Sequence, residues 1–156
     1  MHTASTLAGM AFNTASLGIN HSLAHAAGAK FHVPHGRLNS ILMPHVIQYN
    51  AGIEFNNRNR QATDKTVASR YQDIAKLLGC SASSPVSGVR QLVEAIKKLQ
   101  RKLEMPTSLR EYGVKADAFA QYKVEISETA LHDGCTPTNP RVPTAEELLK
   151  VLEKAF

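Results

Sequence analysis

The chain has 156 residues and a mass of 17.0 kDa, about one domain of sequence and enough to bury a single core. Apolar residues at 43% and charged residues at 20% exclude disordered and fibrous classes, and the absence of Trp, with only 6% aromatic residues, leaves little to stack nucleic-acid bases on. The net charge of +5 is concentrated between Arg58 and Arg110, where basic residues exceed acidic ones by seven; spaced along amphipathic helices, these read as a solvated surface and not as a nucleic-acid face.

No formally charged side chain precedes Lys30. A membrane span needs about 20 predominantly apolar residues, and here His2, Asn13, Asn20, His21 and His25 interrupt the run, while no Lys or Arg stands ahead of it as a secretory signal requires. The segment therefore predicts a helix pair, Thr6–Phe12 and Leu17–Ala27, buried on nearly all sides, with Gly28 ending the second helix. Pro34 suits the first position of the next helix, whose one face carries Leu38, Ile41, Leu42, His45 and Tyr49. Pro44 lacks the N–H for an i−4 bond and predicts a kink. Val67, Tyr71, Ile74 and Leu78 step along one helical face, stopped by Gly79. Ser84-Pro85 opens the clearest helix, with Val86, Val89, Val93, Ile96, Leu99 and Leu103 inward, and Met105-Pro106 closes it. Ser108 with Glu111 forms a capping box on a single turn closed by Gly113. Phe119, Tyr122 and Ile126 mark a further helix before Gly134, and Thr144 with Glu147 caps a last one running through Leu148, Leu149 and Leu152 to Phe156. With no alternating strand and no repeat or long linker, residues 1–156 read as one all-α domain.

Six of the seven histidines lie in the first 45 residues. His21 and His25, four apart, share a helical face, and His35 opens the helix that must fold back after Gly28. An imidazole at a helix N-terminus is biased toward the neutral, metal-binding form. Spacing leaves His21, His25 and His35 open between metal or catalytic work and plain packing. The zinc-protease pattern His-Glu-x-x-His is absent because Ser22 follows His21. His2 and His32 read as surface or packing residues, and His45 as a core histidine bonded to a carbonyl. Cys80 and Cys135 form neither a disulfide framework nor a Cys-x-x-Cys motif, which suits a reducing, cytoplasmic setting.

Gly9-Met10-Ala11-Phe12, Leu17-Gly18-Ile19-Asn20-His21-Ser22-Leu23-Ala24-His25, Gly28-Ala29, Pro34-His35-Gly36 and Leu42-Met43-Pro44-His45-Val46 closely resemble the C-terminal region of the iron-dependent (group III) alcohol dehydrogenases. Cys135-Thr136-Pro137-Thr138-Asn139-Pro140-Arg141 before a terminal helix is similar to the family's ending. The resemblance runs from Met1 to Phe156 and implies the C-terminal helical-bundle domain of the dehydroquinate synthase-like fold, lacking the N-terminal nucleotide-binding domain. That family's Gly-Gly-Gly-Ser turn is absent, and so is its Asp-x-x-x-His pair of further ligands: Asp64, Asp73, Asp117 and Asp133 are followed four later by Ala68, Leu77, Gln121 and Pro137.

Carried over by position, the resemblance implies that His21 and His35 ligate Fe2+ or Zn2+ and that His25 serves a proton relay beside the metal and nicotinamide. It places Cys135 in a loop near the cleft, where an active-site neighbour and a buried thiol are both open readings. NAD or NADP would bind only with the missing domain, and the substrate would be a small primary alcohol or its aldehyde. The expected partners are that nucleotide-binding domain and a second copy in a homo-oligomer, with no nucleic acid and no membrane. The isolated chain is expected to be an inactive fragment of a two-domain enzyme; the alternative is a non-catalytic helical module that docks a separate half or self-associates.

Overall fold

The computed structural model describes residues 1–53 and 65–156, so that Arg58, Arg60 and Asp64 of the basic stretch lie outside the described residues. Among these there is no strand. The helices are α1 (His2–Ala15), α2 (Ile19–Phe31), α3 (His35–Asn50), α4 (Lys65–Leu77), α5 (Pro85–Lys102), α6 (Leu109–Tyr112), α7 (Ala116–Leu131) and α8 (Ala145–Lys154), with a 3-10 turn at Thr136–Thr138. The all-α expectation holds. No helix among the described residues is long and apolar enough to cross a membrane.

The starts of these helices follow local chemistry. Ser84 takes the Ser87 N–H on its hydroxyl and Ser87 returns the bond, with Pro85 at the first helical position. Thr144 and Glu147 exchange the same pair of bonds at α8. At α6 only half of the expected box forms: Ser108 accepts from Glu111 N–H, while the Glu111 carboxylate turns to the N–H and hydroxyl of Thr107.

Two apolar clusters make the core, and α3 belongs to both. Its Leu38, Ile41, Leu42 and Val46 pack with Ile19 and Leu23 of α2, Phe119 and Ile126 of α7, and Leu148 and Leu152 of α8. Its far end, with Ile47 and Ala51, packs with Ala68 and Ala75 of α4 and Val89, Leu92 and Val93 of α5. The α4–α5 contact is close because Gly88 faces α4: a Cβ there would lie 2.5 Å from Gln72 Cα. Small residues therefore occupy the seam, which turns α4 from its expected face. Ala68 and Ala75 are buried, whereas Ile74 and Leu78 face outward. Along α5 the helical period carries the inward stripe from Val89 and Val93 to Gln100, so Leu99 and Leu103, expected inside, stand exposed.

Three other expectations are corrected. α2 is buried as anticipated, but α1 has no buried residue, and its Leu7, Met10 and Phe12 are bare. Gly28 does not end α2, which continues to Phe31 and stops where His32 adopts a left-handed conformation, φ 52°, with its N–H on Gly28 O. His45 is half-buried on α3, but among the described residues it makes no hydrogen bond to a carbonyl.

Pro44 sits inside α3 as one continuous helix from His35 to Asn50. Its missing N–H orphans the carbonyl of Ser40, and the buried Gln100 side chain of α5 fills the gap, donating to Ser40 O at 2.7 Å. Chemical denaturation of Gln100→Leu should show a loss of about 1–3 kcal/mol, because a buried carbonyl is left unpaired. In a Pro44→Ala background the restored backbone N–H serves Ser40, and the same substitution should cost markedly less; equal losses in both backgrounds would refute the compensation.

A second prediction concerns His45. Burial, then the nearby Lys97 and Lys154, lower its pKa to about 4. Between pH 6.5 and 4 the unfolded chain takes up a proton that the folded chain refuses. The stabilising effect is thus complete above pH 6.5 and is lost as pH falls toward 4, by no more than about 3 kcal/mol. Stability measured across that range should fall less steeply in His45→Gln than in the parent chain.

Candidate metal centre

α2 buries Ile19, Ser22, Leu23, Ala24, Ala26 and Ala27, which leaves His21 and His25 on its outer face, one turn apart. The His32–Pro34 turn then returns the chain so that His35 begins α3 beside them. Close approach of the two helices depends on Gly28, whose Cβ would meet Leu38 Cδ1 at 3.3 Å. A polar tie reinforces it: Asn20 Nδ2 donates to Asn39 Oδ1 at 2.7 Å, and the Asn39 amide reaches His35 Nε2 at 2.8 Å.

The three rings converge. Centroids of His21 and His35 are 5.1 Å apart, those of His25 and His35 5.2 Å, and those of His21 and His25 6.1 Å. Burial, then the adjoining His35 and His25, hold the His21 imidazole below its ordinary pKa, with Asp133 opposing. His21 is thus kept neutral, and its ring makes no hydrogen bond among the described residues, so its lone pair is available to a cation. His35 has one nitrogen engaged by Asn39; a half-turn of that amide together with that of Asn20, whose Oδ1 is otherwise buried without a partner, reverses the tie between them, makes Asn39 the acceptor for Nε2–H and frees Nδ1. Paired imidazole nitrogens, one free and one set by a side-chain amide, are donors that fit two positions of a divalent transition-metal site. A hollow of about 390 Å3 opens beside His21, lined by Leu17, Asn20, Met43, Val46 and Tyr71 among others.

His25 has a partner that sequence reasoning missed. Its Nδ1 lies 2.9 Å from Asp133 Oδ2, at the end of α7. Partial burial pushes the Asp133 carboxyl up, but the Cys135 backbone N–H, at 2.8 Å, and the His25 contact outweigh it and hold the group below the usual carboxylate range. Asp133 is therefore an ionised acceptor, and Nδ1 is the nitrogen of His25 that carries the proton. The loop is fixed from below: buried Thr136 donates to Ala130 O at 2.6 Å, and Asn139 exchanges bonds with Asn50. Cys135 is half-buried beside this pair; its sulfur and the ligand atoms of His25 and Asp133 lie within 4.8 Å of one another. Burial, then Asp133, push its thiol up, which disfavours a nucleophilic thiolate at neutral pH.

The signal for Asp133 was the turn dipeptide Asp133-Gly134 after an apolar helix, whose Asx bond to Cys135 N–H aims the carboxylate. His2 on α1, His32 at the end of α2 and His45 at the opposite end of α3 do not join the cluster. Nitrogen-detected NMR at pH 8, where an ordinary imidazole is neutral, should find His25 as the Nδ1–H tautomer and Asp133→Ala shifted toward Nε2–H; an unchanged tautomer ratio would show that the carboxylate does not set it.

The Fe-containing alcohol dehydrogenase family, C-terminal, is matched over residues 1–156. The aldehyde-alcohol dehydrogenase of Streptococcus pneumoniae serotype 2 (strain D39) is 38% identical over 164 residues, and the NADPH-dependent butanol dehydrogenase of Clostridium saccharobutylicum is 40% identical over 156. Both alignments cover 100% of this chain, but only 18% and 37% of those proteins, so the chain spans well under half the length of these relatives. Among solved structures, a 1,3-propanediol oxidoreductase superposes with a TM-score of 0.82 at 34% identity, over 98% of this chain and 36% of its own. The iron-containing alcohol dehydrogenase of Thermococcus thioreducens gives 0.82 at 32%, over 99% and 35%. The chain therefore belongs to the Fe-containing alcohol dehydrogenase family, a family of oxidoreductases, and its all-helical fold is that of the family's C-terminal domain.

Proposed function

We propose that this chain is the metal-holding helical part of an NAD(P)-dependent alcohol dehydrogenase that interconverts a small primary alcohol and its aldehyde by metal-assisted hydride transfer, and that it is inactive alone. The observation that carries the reading is the convergence of His21, His25 and His35 with centroids 5.1–6.1 Å apart. Relatives named for butanol and 1-propanol oxidation accord with a short aliphatic substrate.

In this reading His21 and His35 would hold Fe2+ or Zn2+ through imidazole nitrogens. Such a cation supplies Lewis acidity toward an alcohol oxygen. His25 holds its Nδ1 proton on Asp133, leaving Nε2 to take up the hydroxyl proton, and the carboxylate stabilises the imidazolium that results. The hollow beside His21 takes the aliphatic chain and excludes water from it. Two imidazoles are half of an ordinary ligand set. The remaining donors and the nicotinamide site would come from a nucleotide-binding half outside these 156 residues, met by the bare Leu7, Met10 and Phe12 of α1. A purely non-catalytic docking module would also use α1, but it leaves the imidazole cluster without a purpose.

Calorimetric titration with Zn2+ should show weak binding that is lost in His21→Ala and in His35→Ala, and the purified chain should not oxidise 1-propanol with NAD+ or NADP+. Binding that survives His21→Ala would overturn the metal assignment, and turnover by the chain alone would overturn its inactivity.

A further inference from the structure

Ten residues beyond His35, about 15 Å along α3, a second cavity opens between α3, α5 and α8, with a volume of about 660 Å3. Its floor is rigid. Arg141 stacks on the Tyr49 ring, 4.2 Å from guanidinium carbon to centroid, donates to Tyr49 O at 3.1 Å and pairs with Glu147. Glu147 also accepts from the Tyr49 hydroxyl at 2.9 Å and from Thr144 N–H at 3.0 Å, so its carboxylate is fully engaged. Burial, then the hydrogen bond from Tyr49 to Glu147, raise the Tyr49 hydroxyl well above its ordinary pKa, so it remains a donor.

The wall above this floor carries an uncompensated positive charge. Lys97 of α5 and Lys154 of α8 line the cavity and have no carboxylate partner among the described residues, while Lys150 pairs with Glu146 at 2.8 Å. Glu94 also lines the cavity and leaves both ammonium groups unpaired. Lys154 lies in the last turn of α8, where the helix dipole favours a cation, but Lys97 lies mid-helix and has no such reason to be there. His45 stands within the field of both ammonium groups and, kept neutral by burial and by them, can still donate or accept a hydrogen bond. Ile53 and Val151 supply apolar wall.

We propose that this cavity binds a small organic phosphate, its dianion held between Lys97 and Lys154 beside the His45 ring and its carbon skeleton lying against Tyr49, Ile53 and Val151. Bare phosphate occupies only a small part of the space, which falls in the range of small-molecule sites. Two ammonium groups, offset in part by Glu94, and a neutral imidazole supply donors for the oxygens of a phosphate monoester. The inference does not depend on the metal reading, since it uses the opposite end of α3.

Calorimetry on the 156-residue chain with ribose 5-phosphate, ribose, inorganic phosphate and sulfate tests it. Ribose 5-phosphate should bind and ribose should not, and Lys97→Gln and Lys154→Gln should each weaken binding about tenfold or more. Ring resonances of His45 should move on saturation, and His21→Ala should leave the affinity unchanged. Absence of binding at about 10 mM, unaltered affinity in the Lys97→Gln/Lys154→Gln double variant, or an equal response to sulfate would overturn the proposal. Inorganic phosphate binding as tightly as the ester would overturn the organic part of the assignment.

Discussion

Where α2 turns back into α3, the missing side chain of Gly28 leaves room for Leu38, and that contact sets how far His21 and His25 stand from His35. A Cβ at position 28 would press on Leu38, itself wholly buried and unable to yield without disturbing Ile19, Leu23 and Ile41 around it. The Asn20–Asn39 bond ties the same helices on their outer side. Apolar contact below and an amide pair above thus leave the three imidazoles little freedom to separate, and the ring distances follow from packing more than from any attraction between rings. Their proximity, with burial, keeps the His21 ring neutral, and the neutral ring is the form that binds a cation.

A second constraint brings Asp133 to the cluster. Asn139 lies against Gly18, where a Cβ would sit 2.7 Å from Asn139 Oδ1, and it accepts the Ile19 N–H at the start of α2. Thr136 stands 2.8 Å from Ser22 Oγ, one position along from His21. The loop after α7 is therefore sewn to the first turn of the very helix that bears His21 and His25. Its carboxylate can select a tautomer of His25 only because neither side of the contact drifts. Relay chemistry needs such a fixed pair, since proton transfer depends steeply on the distance between donor and acceptor.

Helix identity and most helix starts were legible in the chain, because caps such as Ser84-Pro85 and Thr144 with Glu147 act within four residues. Which face a helix buries was less so. On α4 the pattern favoured Ile74 and Leu78, yet the seam with Gly88 buries Ala68 and Ala75, a demand set by the partner helix α5. Similarly, Gly28 read as a stop signal but serves a close approach, and the stop falls to His32 in a left-handed conformation that few residues tolerate. The imidazole cluster could be anticipated from spacing and resemblance. Asn39 could not, and Asp133 was marked only as a turn residue, since each acts on a histidine through a contact that needs the fold: Asp133 is 108 residues from His25, and Asn39 matters only once His35 is turned toward α2.

Pro44 shows how such long-range dependence can preserve a local rule instead of breaking it. A proline mid-helix should bend α3 and divide its two ends, one bearing His35 and the other Tyr49. Gln100 answers the orphaned Ser40 carbonyl from the neighbouring helix, so α3 runs unbroken through both apolar clusters. The compensation is incomplete, for Gln100 Oε1 is buried without a partner and the bond is asymmetric. An apolar pair at these positions would avoid that residual cost, but it would also remove a directional contact that fixes α5 against the middle of α3. Lys97 precedes Gln100 by less than one turn of α5, and so a single amide, acting on a carbonyl that proline left exposed, helps to hold against α3 the stretch of helix that carries Lys97 to the second cavity.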